Sequence, residues 1–259
     1  MILIKDLYKS YGTRKVLQGL SLEIKEGEIL VILGRSGVGK SVLLRQIIGI
    51  EKPDSGYVEI DGVRISELST LELYEVVKNM GMLFQGAALF DSMDIGENTA
   101  FYLRQHGDTK TKKKLSEVEI QSRVQEALNM VNLHGEERKM PSDLSGGMKK
   151  RAGIARLLVY RPSILLYDEP TTGLDPITAQ QINELIVKTQ RELKGTSIIV
   201  THDIHSTLYV ADRIALHMDG KIIHCADPET FLNIDDPLIN FLKNTLHNHP
   251  RASEEVKKG

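Results

Sequence analysis

The sequence predicts an α/β domain built on a buried parallel sheet. Three short, largely apolar runs, at residues 28–33, 164–167 and 196–200, each end on glycine or on polar residues. Such runs are typical of parallel strands that are covered on both faces. Predicted helices follow two of them, at residues 42–48 and 177–193. Strand, loop and helix therefore alternate as in a parallel α/β sheet.

The loop after the first run carries the strongest local motif. It fits the pattern G-x-x-x-x-G-K-[ST] at every fixed position. Its glycines let backbone N–H groups turn toward a phosphate chain, and the following helix N-terminus adds partial positive charge. Lys40 is predicted to reach the β and γ phosphates, and Ser41 to hold a magnesium ion. The residues of this loop are Gly34, Arg35, Ser36, Gly37, Val38, Gly39, Lys40 and Ser41.

Composition narrows the class of protein. The chain has 259 residues, with 33 Lys and Arg against 35 Asp and Glu, so its net charge of −2 gives no indication of a nucleic-acid partner. A single cysteine, Cys225, indicates a reducing, cytosolic setting. No apolar run approaches the roughly 18 residues that span a bilayer, and residues 1–6 lack a signal-peptide layout. We expect a soluble chain that can dock on a membrane protein.

The first 85 residues add two candidate site residues whose roles stay open on local sequence. Residues 1–33 alternate as strands of a sheet lobe, and Tyr11 there is either a base-stacking aromatic or an ordinary strand tyrosine. A hairpin over 57–65 turns at Asp61 and Gly62, and a helix is predicted over 70–79. Gln85 ends the next short strand and is either a solvated loop residue or a sensor of magnesium and the attacking water.

Residues 86–144 change character, because loops and helices replace strands. A helix over 117–133 places its apolar residues on one stripe, which indicates core packing. The basic run 110–114 favours a solvated loop, with attraction to anionic lipid headgroups as the alternative. The next candidate is Ser145 with Gly146 and Gly147, which is either a plain helix cap or a second anion-ready helix N-terminus.

The strand over 164–167 runs directly into Asp168 and Glu169. Unpaired carboxylates at the edge of an apolar core are costly, and magnesium supplies a partner. Asp168 is the predicted metal ligand, through water or via Ser41, and Glu169 is predicted to polarise the water that attacks the γ phosphate.

Three further features complete the C-terminal third. Asp175 is predicted to cap the helix over 177–193, with Pro176 at its first position. His202 follows the strand over 196–200 and lies either at the ligand edge of the sheet or in an ordinary loop. Residues 247–259, with His247 and His249, read as a polar tail in which metal binding is the minor alternative.

In this order, the segments resemble the nucleotide-binding subunit of ABC transporters over nearly the whole chain. The resemblance implies a P-loop NTPase with a RecA-like core, an antiparallel β lobe and an inserted helical subdomain at about 86–160. It implies one domain over 1–246, the tail 247–259, and the ligands ATP and Mg²⁺. The implied catalytic residues are Lys40, Gln85, Glu169 and His202; the implied magnesium ligands are Ser41, Gln85 and Asp168; nucleotide contacts add Tyr11, Ser145, Gly146, Gly147 and Asp175 to the phosphate loop.

The resemblance also implies partners. Two copies stack head to tail, so that the phosphate loop and Gln85 of one copy and Ser145 to Gly147 of the other enclose each ATP. A separate membrane permease receives the work, docking near Ala87–Asp94, and holds the chain on the cytoplasmic face of the inner or plasma membrane. Interface contacts made only when the γ phosphate is present give ATP a higher affinity for the closed pair, and this difference drives the cycle.

One position departs from the common family pattern, since Met148 stands where most members have glutamine. Together with residues 34–44 and 83–91, this looks like the Mla or Mce branch, whose members energise phospholipid traffic with a lipid-binding Mce-type partner. Transport of an amino acid, peptide or metal is the alternative. A nucleic-acid or ribosome ATPase is disfavoured by the single motif set, and a small-molecule kinase has no use for the Ser-Gly-Gly segment.

Overall fold

A six-stranded sheet forms the centre of the computed structural model, which describes residues 1–108, 111 and 113–247. Its order is β10-β9-β3-β8-β7-β6, and all strands but β10 run parallel. The phosphate-loop strand β3 therefore lies between β8 and β9. These strands are β3 (Ile29–Leu33), β6 (Met80–Leu83), β7 (Ile164–Asp168), β8 (Thr196–Thr201), β9 (Arg213–Met218) and β10 (Lys221–Ala226).

A second, antiparallel sheet forms the lobe predicted at the N-terminus. Its order is β2-β1-β4-β5, with β1 (Ile2–Tyr11), β2 (Arg14–Ile24), β4 (Ser55–Ile60) and β5 (Val63–Arg64). The predicted turn at Asp61 and Gly62 joins β4 to β5. The two sheets meet where the backbone N–H of Gln18 donates to the carbonyl of Gly220, at 2.9 Å.

Nine helices surround the sheets within the described residues. Three of them begin with a capping box, in which Ser69, Asp94 or Ser116 exchanges hydrogen bonds with a glutamate three residues on. The helices are α1 (Lys40–Ile47), α2 (Thr70–Val77), α3 (Ile95–His106), α4 (Glu117–Met130), α5 (Gly146–Leu158), α6 (Pro176–Leu193), α7 (Ile204–Val210), α8 (Pro228–Leu232) and α9 (Pro237–His247).

The main sheet separates two apolar cores, and β3 contributes to both. Ile29 and Val31 pack into a cluster with the helices α3 to α6, whereas Leu30 and Ile32 pack into a cluster with α1 and the antiparallel lobe. Alternate residues of a strand point to opposite faces, so these four consecutive buried residues serve two cores, and the fifth, Leu33, packs into a third, smaller cluster. The phosphate loop is thereby held by a strand with no solvent-facing side.

Most predicted elements agree with the structure. None of the described residues in 86–144 belongs to a strand, and the helix predicted over 117–133 ends earlier, at Met130. Parts of the basic run 110–114 and nearly all of the tail 247–259 lie outside the described residues; His247 ends α9. Within the described ranges, none of the helices combines the length and apolarity needed to cross a bilayer.

Candidate nucleotide site

One cavity, of about 400 Å³, collects most of the predicted site residues. It lies where β1, the loop after β3 and the ends of β6, β7 and β8 come together. Parallel strands present their carboxyl ends at one edge of a sheet, which is where ligands bind in α/β folds. The lining residues are Tyr11, Arg14, Val16, Ser36, Gly37, Gly39, Lys40, Ser41, Val42, Gln85, Glu169, Thr172 and His202.

The loop 34–41 brings a buried cation to this cavity. Lys40 is 5% exposed, and its ammonium donates to the carbonyls of Gly34 and Arg35 at 2.8 and 2.9 Å. Gly39 precedes it with φ +108°, and a Cβ there would stand 2.5 Å from Val16 Cγ1. Only glycine therefore fits between the lobe and the loop.

The Ser41 hydroxyl donates to Asp168 Oδ1 at 2.8 Å, joining the start of α1 to the end of β7. Burial raises the pKa of Asp168, and the hydrogen bond from Ser41 opposes that rise. A hydroxyl and a carboxylate side by side are hard oxygen ligands, and Mg²⁺ is usually held by one or two such groups with phosphates and waters. These two residues fit a magnesium site.

Glu169 is a buried carboxylate with three side-chain partners. Its Oε1 lies 3.1 Å from Lys40 Nζ, and its Oε2 lies 2.8 Å from His202 Nδ1 and accepts a bond from Thr172 Oγ1. Burial favours the protonated acid, but the charge and hydrogen bond of Lys40, together with His202 and Thr172, hold the pKa of Glu169 below its usual value. An ionised carboxylate held in this way can accept a proton from water.

The antiparallel lobe closes the cavity at Tyr11, the last residue of β1. Its ring is 44% exposed, and its hydroxyl donates to Glu51, which also accepts from Arg45 Nε of α1 at 2.7 Å. An exposed aromatic fixed at the cavity mouth can stack on a flat base. Arg14, at the start of β2, was not a predicted site residue, and it donates to the carbonyl of Gly37 at 2.8 Å.

Not every loop residue faces this cavity. Arg35 and Val38 line a second cavity of about 490 Å³ behind the loop, together with His217 of β9 and residues of α9. The position a Cβ would take at Gly34 lies 2.6 Å from the carbonyl of His217. The phosphate loop is thus packed on its rear side by β9, and any nucleotide contact of Arg35 or Val38 falls to their backbone.

The Ser145 segment and Asp175 do not line the nucleotide cavity of their own chain. Ser145 caps α5 by accepting from the Met148 N–H, and Asp175 caps α6 through the N–H groups of Ile177 and Thr178, as predicted. A Cβ on Gly147 would stand 2.5 Å from Thr178 Cγ2, so this glycine lets the two capped helix starts meet. Met148 packs partly buried against the core.

Two residues near the carboxylates of Asp168 and Glu169 were not predicted from the sequence. Thr172 holds Glu169, as described, and Lys150 of α5 donates to the carbonyls of Gln85 and Glu169. One feature of the sequence could have indicated Lys150, because a lysine at a buried position of a helix is unusual. Its partners lie far away in sequence, so local patterns could not name them.

Three features define a nucleoside-triphosphate-binding domain. They are a glycine loop between a buried strand and a helix, a serine–aspartate pair, and an ionised carboxylate beside a histidine. A family model described as ABC transporter matches residues 17–172. The chain belongs to the ABC transporter family, as its ATP-binding and ATP-hydrolysing component.

Relatives and a solved structure agree with this membership. The probable ribonucleotide transport ATP-binding protein mkl of Mycobacterium leprae is 41% identical over 254 residues, covering 98% of this chain and 72% of that protein. The intermembrane phospholipid transport system ATP-binding protein MlaF of Haemophilus influenzae is 40% identical over 244 residues, covering 94% and 90%. The ATP-binding cassette MJ0796, a dimer bound to ADP and Pi, matches with TM-score 0.78 and 33% identity, covering 88% and 98%.

Proposed function

We propose that this ATPase energises phospholipid transport. The observation that carries the proposal is the match to MlaF, which extends over 94% of this chain and 90% of that protein, so the two agree as nearly whole chains. The match to mkl leaves more than a quarter of that protein uncovered. Transport of a ribonucleotide is the second candidate, because the mkl identity is as high.

In this proposal the residues of the cavity divide the work of hydrolysis. Tyr11 stacks on the base, the loop 34–41 holds the phosphates through its amides and Lys40, and Glu169 takes the proton of the attacking water. His202 orients Glu169, at the observed 2.8 Å. Gln85 lies at the cavity wall, where it can contact both water and metal.

Ser41 and Asp168, with Gln85, would hold Mg²⁺ beside the phosphates. The ion would neutralise charge on the phosphate oxygens as the γ phosphate leaves. The side chains themselves prepare the site: Ser41 fixes the orientation of the Asp168 carboxylate, and Lys40 keeps Glu169 ionised.

A second copy of the chain would complete the site. Ser145, Gly146, Gly147 and Asp175 lie outside the cavity of their own chain, so a role at a nucleotide requires that another copy presents them. MJ0796 is described as a dimer, which supports this arrangement. The exposed N-terminus of α5 would then face the phosphates of the partner's ATP.

The permease would dock on the segment Ala87–Asp94 at the cytoplasmic face of the membrane. Phe90 in this segment is 36% exposed, and Phe84, three residues before the segment, is 38% exposed. Exposed aromatic rings are typical anchors of protein interfaces. A lipid-binding Mce-type subunit would complete the assembly.

Transfer of labelled phospholipid between donor and acceptor vesicles tests the cargo. The complex is purified through the tagged chain, its membrane subunit is identified, and it is reconstituted in the donor vesicles. We expect lipid transfer that requires ATP and stops in the Glu169→Gln complex. ATP-dependent movement of a ribonucleotide without lipid transfer would overturn the lipid proposal.

A further inference from the structure

Helix α5 buries a cation against the catalytic segments. Lys150 is 5% exposed, and its ammonium donates to the carbonyl of Gln85 and, at 3.3 Å, to the carbonyl of Glu169. Burial lowers the pKa of Lys150, and the charges of Asp168 and Glu169 oppose that shift. Hydrogen bonds from a charged donor are stronger than neutral ones, so each carbonyl is firmly held.

Glu169 itself, and two residues shortly after Gln85, have backbone in an unfavourable conformation. Glu169 has φ +49°, and Ala87 and Ala88, just after Gln85, have φ +63° and +49°. Residues with a Cβ rarely adopt this left-handed region, and they stay there only when the surroundings hold them. The segment 85–88 and Glu169 therefore depend on contacts from outside their own elements.

Helix α5 supplies two further contacts to the segment 85–88, from the same face as Lys150. Gly153 lets the helix approach closely, since a Cβ there would stand 2.7 Å from Leu83 Cδ1 and 3.3 Å from the carbonyl of Ala87. Arg156 donates to the carbonyl of Ala88 and lies 4.5 Å above the Phe90 ring. Residues spaced by three are neighbours on a helix surface, so α5 contacts this part of the chain at three successive positions, Lys150, Gly153 and Arg156.

We propose that Lys150 is a positioning residue for ATP hydrolysis, because it locks the carbonyls of Gln85 and Glu169 to the helix that begins at Ser145. A shift of α5 moves both catalytic segments together. The inference deepens the proposed function and rests on the proposed roles of Gln85 and Glu169. In this proposal, a displacement at the N-terminus of α5 is transmitted through the helix to the cavity and to Phe90.

Steady-state ATPase kinetics of the full chain provide the first test. Lys150→Met should lower kcat at least tenfold and leave KM for ATP within twofold, because no atom of Lys150 lines the cavity. Lys150→Arg keeps a charged donor and should restore most of kcat. Lys149→Met, on the next residue, which is half-buried and makes neither contact, is the matched control. An unchanged kcat in Lys150→Met, or a rise in KM alone, would overturn the proposal.

Backbone hydrogen exchange of the full chain without nucleotide provides the second test. In Lys150→Met, the amides of residues 86–90 should exchange at least tenfold faster, while those of β3 keep their wild-type rates. The thermal midpoint should fall somewhat, because the carbonyls of Gln85 and Glu169 lose their charged donor, and Lys150→Arg should restore it. Unchanged exchange at 86–90, or a uniform rise across the chain, refutes the positioning role. If the wild type fails to hydrolyse ATP, the proposed function fails, and the exchange result still decides on α5.

Discussion

Acidification to pH 5 should destabilise the protein through one buried histidine, His217 behind the phosphate loop. The side chain is 1% exposed, and neither ring nitrogen has a hydrogen-bond partner among the described residues. Burial lowers its pKa from 6.5 to about 4, with a further contribution from the charge of Lys40 and a small opposing one from Asp219. The folded protein therefore keeps this ring neutral where the unfolded chain protonates it.

The direction of the change in the free energy of unfolding depends on which state, folded or unfolded, binds the proton. Well above pH 6.5 the ring is neutral in both states, and its titration does not change the free energy of unfolding. As pH falls from 6.5 toward 4, the unfolded chain takes up a proton and the folded protein does not, so stability is lost. With these two pKa values, the loss is about 2 kcal/mol by pH 5.

Urea unfolding of wild type and His217→Leu at pH 7.5 and 5.0 measures this loss. Leucine does not titrate, and any packing change it causes affects both pH values alike. The wild type should lose about 2 kcal/mol more than the variant, whereas His134→Leu, at an exposed histidine, should lose as much as the wild type. A difference below about 0.5 kcal/mol between wild type and His217→Leu would refute the reasoning.

Three other substitutions test separate features. Glu169→Gln should retain ATP binding and lose turnover by a factor of about 10²–10⁴, measured by nucleotide binding and phosphate release, and wild-type turnover would contradict its role as base. Tyr167→Phe removes a fully buried hydroxyl that has no partner among the described atoms, and chemical denaturation should show a gain of about 1 kcal/mol, not a loss. Gly56→Ala should cost at least about 2 kcal/mol, because its Cβ would stand 2.2 Å from the carbonyl oxygen of Asp6 at φ +78°; Gly62→Ala, equally left-handed but unobstructed, should cost only about 1 kcal/mol in the same denaturation assay.

Local sequence predicted the parts of the fold that depend on local physics. Buried strands showed as apolar runs, and helix starts showed as caps at Ser145 and Asp175, which the structure confirms. The family resemblance is confirmed as well. These features share one property: the residues that determine them lie within a few positions of one another.

The other contacts of the site could not be predicted, because they join residues that are close in space but far apart in the sequence. Arg14 reaches Gly37 across the boundary between the lobe and the loop, and Lys150 reaches two carbonyls from a helix 65 residues beyond Gln85. His217 lies behind the loop because β9 neighbours β3, an order that no periodicity reveals. The roles given to Ser145 and Asp175 stay predictions, since they concern a second copy.

The central place of β3 has a consequence for synthesis of the chain. Its two neighbours are β8 and β9, so β3 is paired on both edges only after the segments between β3 and β9 have been made. At about 5–20 residues per second, the ribosome takes on the order of ten seconds or more to pass from β3 to β9. Throughout that interval Ile29–Leu33 is an apolar segment with open edges, of the kind that chaperones bind. The strand that later carries the phosphate loop is thus open to aggregation during translation.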